Sequence, residues 1–359
     1  MEVNVETNAI LKEITAGRRM TSSEFINLYH QADLLELGRA ASFIRDQRYP
    51  ENQITFIIDR NINYTNICSC QCRFCAFYRE KEAPDAYVID QSLLNEKIEE
   101  AINLGATQLM IQGGLNKGLT LNYFEHMFRE IKSRYNITLH SLTAPEIVFY
   151  ARQSEVSVKE ALQRLHKAGL DSLPGGGAEI LHDEVRTQIS PNKITSNQWL
   201  EVMQAAHEIG LKTTATMMIG SVETIEQRIH HLNLIRNMQD EQPGGFRAFI
   251  VWTFKSANPE LPGSNVSSRE YLRFLALCRL YLDNFDHIQG SWVTQGSRIG
   301  QLSLYFGADD LGSIMLEENV VRSAGANNRI ALEEMVDLIR AAGKTPAIRD
   351  TSYKILKVL

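Results

Sequence analysis

Four of the five cysteines, Cys68, Cys70, Cys72 and Cys75, fall within eight residues, and the fifth, Cys278, stands alone. Residues two apart do not readily reach disulfide geometry, so thiols clustered this closely in a reducing compartment read as a metal site. Cys68, Cys72 and Cys75 give C-x3-C-x2-C with Phe74 just before the last cysteine. Three thiolates on a [4Fe–4S] cubane leave one iron without a protein ligand, open to a small molecule that chelates it through an amine and a carboxylate. Two other uses of the loop stay open: a zinc site that recruits Cys70, and an electron-transfer cluster whose fourth ligand is Cys70 or Cys278. Cys70 itself reads as a bystander. Cys278, among Phe274, Leu275, Leu277 and Leu280, reads as a small buried apolar residue.

Other polar and glycine-rich segments stand where strands are expected to end. Gln112-Gly113-Gly114 either lets backbone groups approach a ligand or is a turn that needs small residues. Pro174-Gly175-Gly176-Gly177-Ala178-Glu179 is a glycine run expected to open a helix, where an anion or nucleotide can rest on N–H groups. The plainer reading of Glu179 is a solvated carboxylate at a helix start. Thr216-Met217-Met218-Ile219-Gly220-Ser221-Val222-Glu223 ends a fifth strand, its methionines being core filler or ligand contacts. His140 and Ser141 end the third strand and Thr253 the sixth, which points them at one cavity. His230-His231 lacks the spacing of a zinc helix and is assigned to packing and surface.

These groups need a scaffold. The chain of 359 residues is 44% hydrophobic and 22% charged, so a full core is available, and its net charge of −6 comes without a block of like charge that could track a phosphate backbone. Nucleic acid is excluded as a partner. No apolar run reaches a membrane span and the start lacks the features of a signal peptide, so the chain is expected in the cytoplasm. Thr21 and Glu24 have capping-box spacing, and Leu34, Leu35, Leu37, Ala40, Ala41, Phe43 and Ile44 give an apolar helical face. Beyond Gln53, β-prone runs at 54–58, 108–111, 137–142, 171–173, 213–219, 246–254 and 288–294 alternate with helical patterns such as 92–104, which Gly105 stops. An eighth unit lies within 309–318. The expected fold is α/β: a complete or nearly complete (β/α)8 TIM-like barrel over 51–325, with extra N-terminal helices over 1–50 and a C-terminal extension, helix and tail, over 326–359.

At this point the chain resembles the radical S-adenosylmethionine (SAM) superfamily, through the cysteine motif after the first barrel strand. Cys75-Ala76-Phe77-Tyr78-Arg79, the segment from Ser172 to Leu181, Ile288-Gln289-Gly290-Ser291-Trp292-Val293-Thr294-Gln295-Gly296 and the segment from Tyr305 to Val320 narrow the resemblance to its cyclic dehypoxanthine futalosine synthase family. The resemblance implies a [4Fe–4S] cluster on Cys68, Cys72 and Cys75, and SAM held by Phe74, Tyr78, Gln112, Gly113, Gly114, Ser141, Glu179, Arg186 and Met218. It implies a small-molecule substrate, dehypoxanthine futalosine, contacted by Thr253, Trp292, Gln295, Asp309 and Arg298, with Arg298 or Arg322 for its carboxylate. Asp310, in a glycine-flanked loop, is the expected base and His140 the second choice. The implied reaction is cyclisation by hydrogen abstraction from ribose C4′ on the way to menaquinone, with flavodoxin or ferredoxin as electron donor. Two positions depart from the family pattern: Lys255-Ser256 stands where Gln-Pro is usual, and Asp309 where asparagine is. The alternatives are the sister aminofutalosine synthase, which adds the radical instead of abstracting hydrogen, and a non-catalytic iron–sulfur or metal-binding protein.

Overall fold

The computed structural model describes residues 2–255, 261, 266–325 and 328–359, so Ser256 and Ala326 lie outside the described residues. Its strands are β1 (Gln53–Ile57), β2 (Asp59–Asn63), β3 (Gln108–Gln112), β4 (Thr138–Leu139), β5 (Ser172–Leu173), β6 (Lys212–Ile219), β7 (Phe246–Thr253), β8 (His287–Gln289), β9 (Asp310–Ser313), β10 (Thr345–Arg349) and β11 (Ile355–Val358). β1 and β2 are two halves of one strand, broken at Ile58. The first half pairs in parallel with β9 and the second with β3, and parallel pairing continues through β3-β4 and from β5 to β9. One parallel bridge, His140 to Ser172, joins β4 to β5 and closes the ring. With β1 and β2 taken together, eight parallel strands make a complete (β/α)8 barrel. Covered on both faces, they read as β-branched and apolar runs; Ile54, Phe56, Leu109, Ile111, Val251 and Ile288 are all buried.

The expected strand run 288–294 ends early, and Trp292–Gln295 is a helical turn instead. The cause is local. A Cβ at Gly290 would run into the Ser303 hydroxyl, and the Ser291 N–H is taken by the Tyr271 hydroxyl at 2.7 Å, which draws the chain out of the ladder. The helix expected at 92–104 spans Gln91–Asn103, capped by Asp90 and followed by Gly105 at φ +90°. Its buried face is narrow: Leu94, Ile98 and Ala101 are buried while Leu93 and Ile102 are exposed.

Of three N-terminal helices, Ser22–Gln31 and Leu34–Arg48 lie on the helix Ser268–Tyr281, where Phe25 meets Phe274 and Tyr281 edge-on at 5.8 and 5.3 Å, and Glu2–Thr15 packs on those two. Leu35 and Phe43, expected on the buried face of the third helix, are exposed. The capping box forms: Thr21 Oγ1 accepts from Glu24 N–H at 3.3 Å, and Glu24 Oε2 accepts from Thr21 N–H at 2.9 Å. Thr21→Ala is expected to cost about 1 kcal/mol and lower the apparent melting temperature by about 2 °C, with catalysis unchanged; differential scanning fluorimetry beside a turnover assay checks both.

Two irregularities shape the barrel's interior. Thr213 of β6 faces Phe246 of β7, but Ala215 faces Phe249, so β7 carries one extra residue. This bulge turns Arg247 to the inside, together with Ile250 and Trp252, while Ala248 and Phe249 are buried on the helix side. The second is the C-terminal stretch, expected as a helix and a tail on the barrel. After the helix Leu332–Ala341 it forms β10, parallel to β1 (Gln53 opposite Thr345), and β11, antiparallel to β10. Arg349, Thr351 and Tyr353 from this extension line the inner end of the lumen. No described helix is long and apolar enough to cross a membrane.

Candidate active site

The cysteine loop leaves the end of β2 and is tied down by its backbone. Cys68 N–H donates to the Arg79 carbonyl (3.1 Å), Ser69 N–H to that of Leu115 (3.0 Å) and Cys75 N–H to that of Cys72 (3.0 Å). Leu115 N–H donates to Cys68 Sγ at 3.3 Å. The glycines at the end of β3 have a packing reason: a Cβ on Gly114 would run into the Ile67 carbonyl, and one on Gly113 would stand 2.9 Å from the Thr65 carbonyl oxygen. Both nonetheless line the chamber that Cys68, Cys70, Cys72 and Cys75 open onto, a cavity of about 280 Å³ that also includes Phe74, Tyr78 and Gln112. Cys70 Sγ lies 3.5 Å from Cys72 Sγ, and this contact, with Lys193 nearby, holds the Cys72 thiol below the ordinary cysteine value against the effect of burial. Burial pushes Cys68 and Cys75 up.

Opposite the thiols stands Glu179, one of the few non-glycine residues with positive φ (+40°). The strained backbone is over-determined. Met218 N–H donates to the Glu179 carbonyl at 2.9 Å, and Arg186 donates to the carbonyls of Gly177 (3.1 Å), Ala178 (2.6 Å) and Ile194 (2.6 Å). No helix opens at the glycine run; the next begins at Asp183, so Glu179 is buried in a loop rather than solvated at a helix start. Its Oε1 accepts from Lys193 Nζ at 3.0 Å, while its Oε2 is buried without a hydrogen-bond partner, the Arg186 guanidinium standing off at 3.9 Å. Lys193 sits 5.1 Å from the Phe74 ring centroid. Burial works against its charge, yet Cys72 and Glu179 overcome that and hold its pKa above the ordinary lysine value. An orphaned carboxylate oxygen and a charged ammonium beside three thiols fit a cluster carrying a ligand with hydroxyl donors and a carboxylate.

Gln112, Gly176, Gly177, Glu179 and Trp252 line both this chamber and a second cavity of about 260 Å³, the barrel lumen. The two together fall in the range of roughly 300–1,000 Å³ typical of small-molecule sites. His140 faces the lumen with Nδ1 2.6 Å from Ser172 Oγ; burial, with Arg247 and Arg349 nearby, lowers its pKa to about 3, so it is neutral. Asp59 lines the same wall. Burial pushes its carboxyl above the usual range although Ser313 Oγ and Gln108 Nε2 donate to it.

Several expected site residues are elsewhere. Asp310 is fully buried and committed: Arg349 Nε (2.6 Å) and Nη2 (3.0 Å), Thr55 Oγ1 (2.6 Å) and Gly312 N–H (2.7 Å) fill its acceptor positions, so it anchors β10 and does not face the lumen as a base would. Asp309, one residue away and therefore on the opposite face, is held by Arg279, by His287 Nδ1 (2.6 Å) and by Ile288 N–H (2.8 Å) among the covering helices. Thr253 and Gln295 bond to each other (2.6 Å), and Trp292 Nε1–H donates to the Ser313 carbonyl (3.0 Å); all three brace the wall, and Ser291, Val293 and Thr294 face the lumen in their place. Ser141 Oγ accepts from Ile111 N–H (3.1 Å) in the core. Met218 and Arg186 support Glu179 from behind. Arg298 and Arg322 are exposed and outside both cavities. His231 is buried and its Nδ1 accepts from Leu181 N–H (2.9 Å), while His230 is exposed, as expected. Lys193, Trp252, Asp59 and Arg247 are site residues that the sequence did not single out.

Residues 62–235 match the radical SAM superfamily and residues 243–359 the CofH/MqnC C-terminal region. The chain is 47% identical to the cyclic dehypoxanthine futalosine synthase of Streptomyces coelicolor, covering 100% of this chain and 91% of that one. It is 38% identical to the 5-amino-6-(D-ribitylamino)uracil–L-tyrosine 4-hydroxyphenyl transferase of Methanothermobacter thermautotrophicus, covering 99% of each. In fold it is similar to methylornithine synthase, with a TM-score of 0.74 at 17% identity over 94% of this chain and 97% of that one. The cofactors of the superfamily are a [4Fe–4S] cluster and SAM, and the chamber of Cys68, Cys72, Cys75, Glu179 and Lys193 suits both. The chain belongs to the radical SAM superfamily and, within it, to the family of the cyclic dehypoxanthine futalosine synthases.

Proposed function

We propose that this enzyme cyclises dehypoxanthine futalosine, joining ribose C4′ to the benzoate ring, as a step of menaquinone biosynthesis in the cytoplasm, with flavodoxin or ferredoxin as electron donor. The observation that carries the reading is the continuity of the cysteine chamber with the barrel lumen through Gln112, Gly176, Gly177, Glu179 and Trp252, so that chemistry begun at the thiols meets a substrate held inside the barrel. The full-length identity to a relative of that name supports it. When bound, the reduced cluster with SAM at its open iron supplies a 5′-deoxyadenosyl radical.

A primary alkyl radical takes hydrogen from almost any neighbouring C–H, so the chain's task is placement and exclusion. Lys193 offers its ammonium to the methionine carboxylate of SAM, and Glu179 Oε2 accepts from the ribose hydroxyls. Phe74, Tyr78, Gln112 and the backbone of Gly113 and Gly114 wall the same chamber. Trp252, at the junction of the two cavities, holds the substrate ribose beside SAM. Attack of the C4′ radical on the ring leaves a ring radical that must give up a proton to a base and an electron, which the oxidised cluster, when bound, would take back. Asp59, its proton affinity raised by burial, is the acceptor that the lumen wall offers; neutral His140 orients substrate through its ring nitrogen.

Anaerobic incubation of the reduced enzyme with SAM and dehypoxanthine futalosine is expected to release 5′-deoxyadenosine and cyclised product in equal amounts, read by chromatography and mass spectrometry. Adenosyl carbon retained in the product would establish radical addition and refute the cyclase reading.

A further inference from the structure

The inner end of the lumen carries a cation that the protein does not neutralise. Arg247, turned inward by the β7 bulge, is largely buried; its Nη1 donates to the Thr351 carbonyl at 3.0 Å. Among the described residues no carboxylate oxygen lies within 4.0 Å of its guanidinium, and Asp350 and Asp171 act on it only from farther off. The other arginine of the lumen wall, Arg349, is spent on Asp310. A second unmet group adjoins it: Thr351 Oγ1 is buried without a hydrogen-bond partner and lines the same cavity. A largely buried guanidinium with no carboxylate beside it and a buried hydroxyl with no hydrogen-bond partner each cost stability, and facing one cavity they mark where an anionic, hydrogen-bonding ligand group belongs.

The order of side chains along β7 gives the rest of that ligand's shape. From the inner end outward the lumen meets Arg247, then Ile250, then Trp252, a rise of roughly 16 Å over five residues at about 3.3 Å each, part of which the arginine side chain itself spans. A cation, an apolar wall completed by Ile57 and Met110, and an aromatic at the border of the cysteine chamber follow one another. We propose that Arg247 and Thr351 bind the carboxylate of an aryl-carboxylate substrate, so that the ring lies against Ile250 and the sugar reaches the chamber. This rests on the cyclase reading, deepens it, and replaces exposed Arg298 and Arg322 as the carboxylate's partner.

The test uses the reconstituted holoenzyme with dehypoxanthine futalosine and its carboxamide. Wild type is expected to show a KM about 100-fold lower for the acid than for the amide. Arg247→Gln should raise KM for the acid by about the same factor and leave the amide nearly unaffected, and Arg247→Lys should fall between. Equal KM values for acid and amide in wild type, or a wild-type KM for the acid in Arg247→Gln, would overturn the assignment. Calorimetric binding of 3-acetylbenzoate against 3-acetylbenzamide needs no turnover. A preference for the acid that vanishes in Arg247→Gln supports the site even if dehypoxanthine futalosine is not turned over, an outcome that would count against the cyclase reading alone; no such preference in wild type overturns the site.

Discussion

Replacing any one of Cys68, Cys72 and Cys75 with alanine is expected to leave an enzyme that assembles no stable [4Fe–4S] cluster and forms no 5′-deoxyadenosine above background. All four loop cysteines line one chamber, and the loop that carries them is pinned through the backbones of Leu115, Arg79 and Cys72, so the loss should not spread to the barrel. Cys70→Ala is the informative companion. Cys70 is buried and touches Cys72 without being needed as a ligand in the three-cysteine arrangement, so the variant should keep its iron, its sulfide and a SAM-responsive EPR signal. Iron and sulfide analysis of the anaerobically reconstituted proteins decides between the two patterns. A Cys70 variant without a cluster, beside a Cys68 variant with one, would reassign the ligand set.

The second large effect belongs to Lys193. Its ammonium is enclosed with the Glu179 carboxylate at 3.0 Å, both side chains being about nine-tenths or more buried. Removing one partner of such a pair leaves the other charge buried alone, at a cost of about 3–5 kcal/mol, and here it also removes the cation offered to SAM. Lys193→Met is therefore expected to raise the KM for SAM by roughly 100-fold or more and to lower kcat, with the iron content retained; Lys193→Arg should recover part of the loss. A SAM titration of 5′-deoxyadenosine formation reads the split, and an unchanged KM in Lys193→Met would remove Lys193 from the SAM site.

The barrel was legible because its signals are local. Runs such as Ile54–Ile58 and Thr213–Ile219 are dense in β-branched and apolar residues, and the helix Gln91–Asn103 carries its own cap and stop. The cysteine motif was legible for the same reason, its ligands lying within one loop. Asp309 and Asp310 show the limit. They were expected in a glycine-flanked loop, yet Asp310 opens β9 and Asp309 precedes it, and Arg279 and Arg349, which take up their charges, come from a helix before them and a strand 39 residues after Asp310. No spacing rule announces such a pairing. Arg247 was hidden for a different reason: alternation along β7 assigns it to the helix side, and only the extra residue opposite Thr213–Ala215 reverses its direction. Glu179 was found on the motif, but its environment was not, because the glycine run folds as a loop clamped by Arg186 rather than as a helix start.

The central claim is that a radical generated at the three thiols takes hydrogen from the ribose of a substrate held in the lumen. The most direct test is a single-turnover reaction of the reduced holoenzyme with SAM and dehypoxanthine futalosine deuterated at ribose C4′, followed by mass analysis of the nucleoside released. One deuterium in 5′-deoxyadenosine is the predicted result. 5′-Deoxyadenosine without deuterium, or a product that retains the adenosyl group, would contradict it.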